Sequence, residues 1–420
     1  MRQCYYKAQA QAWQNDGQLF MANSLQMSFQ QLSKVLLQYR HYWQLLPFSC
    51  DRLPWPDDEL HRRIMALDEL QVSQIDQCVS LQQQHFAECF PALFSLPDVI
   101  TATQSREITA LPFWLSNGIA GRKLQQIDAL CQHWPASQLP VVEWCAGKGH
   151  LGRSLAYRFG QAVTSIEWQP DLCQQGEEMA AKYELAQQFM CADVLAAPLQ
   201  HVLHEQQHLV ALHACGQLHI TLLQQAVAAG CQQLHLVPCC YHLIPHTPYQ
   251  PLSTEGMQHD LLLNKDDLKL VVQGQVTAGA RIEKLRLTEV LWRLAYDELR
   301  IELSGQVQYR PLPSVAKHWF SADFADFARW AAAQHQLSLP AKPDWARYLQ
   351  QAEHRAALVR RIDLVRHLFR RPLELWLALD KALYLQQHGY QVSLSELCAH
   401  NVTPRNVLLH AKKPALTLPR

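Results

Sequence analysis

Between residues 140 and 240 the chain repeats one pattern, a short apolar run followed by a break and a longer amphipathic stretch. The apolar runs at 140–144, 162–167, 188–192, 208–212 and 233–238 have the length and Val/Ile/Leu content of buried strands. The stretches at 118–134, 150–160, 171–184 and 219–229 place their apolar residues at helical spacing. This alternation predicts an α/β fold, Rossmann-like, with a mostly parallel sheet covered by helices. A ligand is then expected at the carboxyl ends of the strands.

The flanks read differently. Residues 1–110 predict an N-terminal helical region, broken by the proline-rich run Leu53-Pro54-Trp55-Pro56. The Rossmann-like domain is expected over 111–303. Strand-like alternation at 268–276 and 281–287, joined by Thr277-Ala278-Gly279-Ala280, predicts a β-hairpin insertion at about 265–290. Helical spacing resumes at 289–303 and 314–336, then in two helices over 345–390 parted at Pro372. Residues 304–420 are thus expected to form a C-terminal helical region that contributes to the substrate side.

Composition narrows the class. Of 420 residues 49% are hydrophobic, enough for a large core, and the formal net charge is zero. Overall charge therefore attracts no polyanion, and a nucleic-acid site has to be a local patch. The first residues, MRQCYYKAQAQAWQ, lack the apolar core of a signal peptide, and no apolar run is long enough to span a membrane. Thirteen cysteines without a secretion signal predict reduced thiols and a cytoplasmic protein.

The chemistry gathers at the predicted strand ends. Val141-Val142-Glu143 runs into Gly147-Lys148-Gly149 and then a helix, a turn that offers backbone N–H groups and a positive helix end to a ligand. About twenty residues on, the second strand ends in Glu167, where nucleoside-binding folds place a carboxylate on ribose hydroxyls. The third ends near Asp193. The frame Gly147-x-Gly149-x-x-Gly152 also suits a dinucleotide, but Glu143 would repel a pyrophosphate. An acid there suits the cationic amino-acid end of S-adenosylmethionine (AdoMet), the expected cofactor. Its expected lining is Glu143, Cys145, Ala146, Gly147, Gly149, His150, Leu151, Glu167, Trp168, Asp193, Val194 and His213.

Strand four ends in Leu212-His213-Ala214-Cys215-Gly216 and strand five in Pro238-Cys239-Cys240-Tyr241-His242. These groups can shape the pocket and move a substrate proton, supply a thiolate nucleophile, bind zinc, or simply pack as small thiols. Adjacent cysteines are poorly spaced for chelation, so no metal is expected. Cys240, Tyr241 and His242 are the candidate catalytic residues. No Asn/Asp-Pro-Pro-Tyr/Phe sequence follows strand four, which argues against an exocyclic adenine amine as acceptor.

With these motifs the chain resembles a methyltransferase-like family that includes the ribosomal RNA adenine dimethylase domain-containing and glutathione S-transferase C-terminal domain-containing proteins. The resemblance rests on G-K-G-H-L (Gly147 to Leu151), L-H-A-C-G (Leu212 to Gly216) and C-C-Y-H (Cys239 to His242). Arg122-Lys123, Pro251-Leu252-Ser253, Tyr309-Arg310 and Thr403-Pro404-Arg405-Asn406 look like further family elements. More distantly it is similar to the tRNA 2′-O-methyltransferases that modify the acceptor stem, with Tyr241 in place of a His. The resemblance implies a methyltransferase fold, AdoMet and RNA, with Lys123, Arg310, Arg405 and Asn406 on the substrate side. Seven arginines between Arg347 and Arg371 form either a solvated helix face or a phosphate-contacting stripe. The expected function is AdoMet-dependent methyl transfer to RNA. Its rivals are a protein or small-molecule acceptor, and an AdoMet-binding scaffold without turnover.

Overall fold

The five apolar runs between 140 and 240 form strands, and two strands from much later in the chain join them. The computed structural model describes residues 24–101, 106–196, 199, 201–273 and 280–414. Its seven-stranded sheet comprises β1 (Val141–Trp144), β2 (Val163–Glu167), β3 (Gln187–Cys191), β4 (His208–Cys215), β5 (Gln233–Cys239), β6 (Gln391–Glu396) and β7 (Val407–Lys412). Their order is β3-β2-β1-β4-β5-β7-β6. The first five are parallel, and β7 lies antiparallel between β5 and β6. Winding reverses between β1 and β4, the position where such sheets open a crevice for ligands.

Helices α1 (Gly121–Gln132), α2 (His150–Phe159), α3 (Pro170–Lys182) and α4 (Gln217–Ala229) connect or precede these strands. Ile127 and Leu130 of α1, Leu151 and Leu155 of α2, and Val141, Val163, Val210 and Val237 of the strands share one buried cluster. The helical periodicity read from the sequence is the imprint of that burial.

The chain divides into two units, one of Met1–Gln38, Leu96–Val272 and Arg371–Arg420, which contains the sheet, and one of Tyr39–Ser95 and Gln273–Arg370. In the second, α5 (Ala280–Ser304), α6 (Phe324–His335) and α7 (Trp345–His367) surround a core that includes Trp292, Tyr296, Phe327, Tyr348 and Ala352. A further helix, α8 (Arg370–Gln387), begins at the boundary and runs on within the sheet unit. Pro372 sits in its first turn, where a missing N–H costs no helical bond.

Two expectations change. The hairpin at about 265–290 is absent among the described residues: Lys265–Leu270 and Ala280–Ser304 are helical, and residues 277–279 of its proposed turn lie outside them. Seven residues of alternation fit either period, and Leu285, Trp292, Tyr296 and Leu299 continue the helical one into the core. The region 304–420 is also not wholly helical, because β6 and β7 complete the sheet.

The arginine run resolves as structure. Arg347 pairs with Glu302, Arg355 with Asp297 and Glu298, Arg360 and Arg361 with Glu69, and Arg366 with Asp363. Asp76 takes Arg370 at 2.8 Å and His367 at 2.6 Å. Arg371 pairs with Glu374 and Glu396.

Candidate functional site

The turn after β1 is built on a buried polar chain. Gln187 donates to the Gly149 carbonyl and to Ser165 Oγ, both at 2.9 Å, and Ser165 donates to Glu143 Oε2 at 2.7 Å. Burial pushes the Glu143 carboxyl up to about 7, against the opposing bonds from Ser165 and the Gly152 N–H. Gly149 has φ +67°, and a Cβ there would stand 2.4 Å from the side chains of Gln187 and Phe189. The turn is therefore closed to any other residue.

Glu167, buried at the end of β2, accepts from the Gly147 N–H at 2.9 Å and the Gln169 N–H at 3.1 Å. The glycine turn and the second acid are thus joined directly. Burial, reinforced by the charges of Glu167, Asp193 and Glu143, pushes the neighbouring Cys145 thiol up to about 12. Val194 is buried, while Trp168 is 64% exposed and free to cover a ligand.

Beside this turn a cavity of about 530 Å³ opens at the ends of β1, β4 and β5. Lys123, Glu143, Cys145, Ala146, Leu151, His213, Cys240 and Arg405 of the sequence-derived set line it, joined by Arg122, Gln126, Cys215 and Cys239. Six non-glycine residues among those described have positive φ, and three of them, Cys145 (φ 55°), His213 (φ 65°) and Cys240 (φ 49°), line this cavity. Left-handed backbone costs on the order of 1–3 kcal/mol per residue and gathers at functional sites.

His213 is the extra residue where the β4–β5 register shifts between Leu212 and Ala214, and its Nε2 bonds to Gln126 Oε1. Burial, then the charge of Arg405, pushes the His213 imidazole down to about 4, so it is neutral at physiological pH. Hydrogen bonds from Cys215 and Cys239 hold the Cys240 thiol below its ordinary range, with help from Arg405 and His242. Gly216, with φ +54°, lies against the Leu243 backbone, where a Cβ would come within 2.6 Å.

Other predicted residues face elsewhere. Tyr241 is fully buried, its ring beneath Lys381 Nζ (5.2 Å to the centroid) and edge-on to His219. Successive residues of a turn diverge, so C-C-Y-H does not present all four side chains to one space. Its neighbour His242 is half-buried with Nδ1 unpartnered among the described residues. Asn406 is also turned inward, donating to the Cys398 carbonyl at 2.7 Å and accepting from Arg371 at 3.0 Å, so it pins the β6–β7 connection. Arg310 belongs to the helical unit. His150 bonds to the buried Arg153, which also holds the Lys148 carbonyl at 2.8 Å.

Sequence reasoning missed several supports. Ser165 and Gln187 underlie the turn, and a small polar residue within an apolar strand was the available signal. Gln126 follows Lys123 by one helical turn, which puts both on one face of α1. Asp380 accepts from Tyr249 Oη, the Leu252 and Ser253 N–H groups and Ser253 Oγ, thereby fixing the segment after C-C-Y-H. The signal was an Asp-Lys pair inside the apolar run 377–383.

Residues 122–247 match a family described as a methyltransferase domain. No curated protein matches the chain. Among solved structures it is similar to a TehB-like SAM-dependent methyltransferase from Corynebacterium glutamicum, at 11% identity and TM-score 0.22 over 27% of this chain and 61% of that one. Coclaurine N-methyltransferase bound to N-methylheliamine and SAH gives 11% identity and TM-score 0.25 over 51% and 57% of the two chains. A protein described for converting a disulfide bond into a thioacetal group during echinomycin biosynthesis gives 20% and 0.21 over 23% and 43%. The chain thus spans less than two thirds of each of these structures. Overall likeness at this level carries no argument about activity. The family match spans β1 to β5 and so contains the glycine turn, the acids Glu143 and Glu167, and the cysteine-rich ends of β4 and β5.

Proposed function

We propose that the chain is a methyltransferase whose acceptor is RNA, presented at the ends of β4 and β5. One observation carries this reading. Arg122, Lys123 and Arg405 line the cavity against a single acid, Glu143, which burial draws toward neutrality. A local cationic wall on a chain of zero net charge suits a phosphate backbone. The resemblance of the motifs to RNA-modifying enzymes points the same way.

AdoMet fits the residues present: an open glycine turn, three acids around it and a cavity beyond. When bound it supplies an electrophilic methyl group on a cationic sulfur. In this reading Glu143 faces the amino-acid end, Glu167 accepts from the ribose hydroxyls and Asp193 lies by the adenine. Cys145 to Leu151, Trp168, Val194 and His213 complete the lining. Lys123, Arg122 and Arg405 hold the acceptor's phosphates, while Cys240 and His242 receive the proton it loses. Tyr241 and Asn406 position these groups from behind. Most of the rate comes from alignment of acceptor and methyl group.

The cavity volume suits a small anionic molecule equally well, which is the second reading. Purified chain with isotope-labelled AdoMet and RNA from cells lacking the protein distinguishes them. The proposal expects label in a ribonuclease-sensitive fraction and a modified nucleoside missing from those cells. Label found only in small molecules or protein overturns it. For the cofactor, Glu167→Ala should weaken AdoMet binding in calorimetry by about 1.5–3 kcal/mol, the loss of hydrogen bonds to a charged group.

A further inference from the structure

Three thiols converge at the cavity wall from two strands. Cys215 ends β4, Cys239 ends β5 and Cys240 follows it. Cys215 Sγ and Cys239 Sγ are 3.3 Å apart, and all three sulfur atoms lie within 4.8 Å of one another. All three residues line the cavity, and the described cysteines are free thiols.

Adjacent residues of an extended strand point to opposite faces, the usual obstacle to chelation by a Cys-Cys pair. Here Cys240 leaves the strand in the left-handed region, at φ 49°, which turns its thiol back toward that of Cys239. The Gly216 N–H donates to the Cys239 carbonyl at 3.0 Å and locks the two strand ends in register. Strained backbone that gathers sulfur atoms is hard to explain by packing, since thiols pack as small hydrophobes at no cost in conformation.

We propose that Cys215, Cys239 and Cys240 form a binding site for a thiophilic dication, zinc above all, with its fourth position open to the cavity. Tetrahedral zinc with Zn–S distances of about 2.3 Å sets sulfur atoms roughly 3.8 Å apart, within the range the three thiols already span. No fourth His, Cys, Asp or Glu joins the cluster among the described residues. Three protein ligands and one open position are the arrangement of zinc sites that bind substrate. Three thiolates and a dication leave one negative charge, and Arg405 on the same cavity wall offsets it. The ion's fourth ligand is then water or a heteroatom of the methyl acceptor, which it would make more acidic. That role rests on the methyl-transfer reading and, with Cys240 on the ion, leaves His242 to receive the acceptor's proton, whereas binding of the ion does not rest on it.

The 420-residue chain, prepared reduced and metal-free, is titrated with cobalt(II) and then zinc. The expected result is one equivalent of cobalt with thiolate charge-transfer and tetrahedral bands, displaced by zinc. Cys240→Ser should weaken zinc binding roughly 100-fold or more, the upper end of the cost of losing even an outer-shell contact. Cys78→Ser, in the helical unit, should leave it unchanged. Zinc should raise the parent's melting temperature and not that of Cys240→Ser, whose metal-free melting temperature reports whether it folds. Should Cys215→Ser fail to fold, the half-exposed Cys240 carries the test. A cobalt spectrum without thiolate bands, or unchanged zinc affinity in Cys240→Ser, overturns the proposal. Recovery of Cys215 and Cys239 as a disulfide from zinc-containing preparations also overturns it, in favour of oxidation chemistry. Methyl transfer that persists in the zinc-free protein removes only the ion's catalytic role.

Discussion

Arg355, Arg360, Arg361, Arg366 and Arg370 each end on a carboxylate within the helical unit. Lys123 and Arg405, at the strand ends of the sheet unit, form no ion pair among the described residues and line a cavity instead. Along the sequence the first group looks like the stronger polyanion site, being denser and set at helical spacing. In the fold its charges are consumed by Glu69, Asp76, Asp297, Glu298 and Asp363. What distinguishes a binding cation from a structural one is its inventory of acidic neighbours, and all of those neighbours but Asp363 lie far away in sequence.

The sharpest way to break this comparison is to remove an acid from the helical unit. Asp76→Ala deprives the buried Arg370 guanidinium and His367 Nδ1 of their hydrogen-bonded carboxylate, and should cost about 3–5 kcal/mol in urea denaturation. An equally stable variant would falsify the view that these arginines are structural. The pair also sets an acid limit, because Arg370 and His367 hold the Asp76 carboxyl down at about 2 despite burial. A depressed carboxylate stabilises the fold above its ordinary value near 3.8, and that contribution disappears as pH falls through about 2.

At the cavity the opposite behaviour is expected. Arg405→Ala should lower kcat/KM by about 10- to 150-fold, equivalent to roughly 1.5–3 kcal/mol, while calorimetric AdoMet affinity stays within about twofold. Loss of both together, with an intact fold, would place Arg405 on the cofactor and sink the substrate-side assignment.

The next effect is smaller and read through pH. Glu143, held near 7, is mostly ionised at pH 8 and mostly protonated at pH 6. AdoMet binding, which favours the anion, should weaken by about tenfold between those values, one pKa unit being about 1.4 kcal/mol. For the free protein the sign runs the other way. A raised carboxyl loses its proton more readily when unfolded, so this group's contribution to stability declines as pH rises from about 4.5 to 7. A flat AdoMet affinity between pH 6 and 8 would show that Glu143 does not meet the cationic end of the cofactor. Arg360→Ala, on a half-exposed pair with Glu69, should cost least, below about 1 kcal/mol. A larger loss of stability would mark Arg360 as part of the core network.

The sheet was legible because β1 to β5 are short, mainly apolar runs closed by glycine, acid or cysteine, each a local signal. By contrast, β6 and β7 were not, since Gln391–Glu396 and Val407–Lys412 become strands only by pairing with one another and with β5. Glu143 and Gly149 are linked through Ser165 and Gln187, and Glu167 bonds to the Gly147 N–H. The inward turn of Tyr241 and Asn406 could not be read, because motif letters carry no side-chain direction. Ser165, Gln187 and Gln126 escaped notice for a related reason: their importance lies in the atoms they hold, brought near only by the sheet.

The late arrival of β7 has a consequence in time. Gln232, at the foot of β5, bonds to the Lys413 carbonyl across a separation of 181 residues, and residues 273–370 of the helical unit lie between them in the chain. Closing so long a loop is slow, whereas β1 to β5 can pair from contacts much nearer in sequence. Arg405 rides on the β6–β7 connection, so that side of the cavity is finished only when β7 docks. During folding, then, the glycine turn after β1 is expected to form before Arg405 reaches the cavity wall, so that on the proposed reading the cofactor side is complete before the acceptor side.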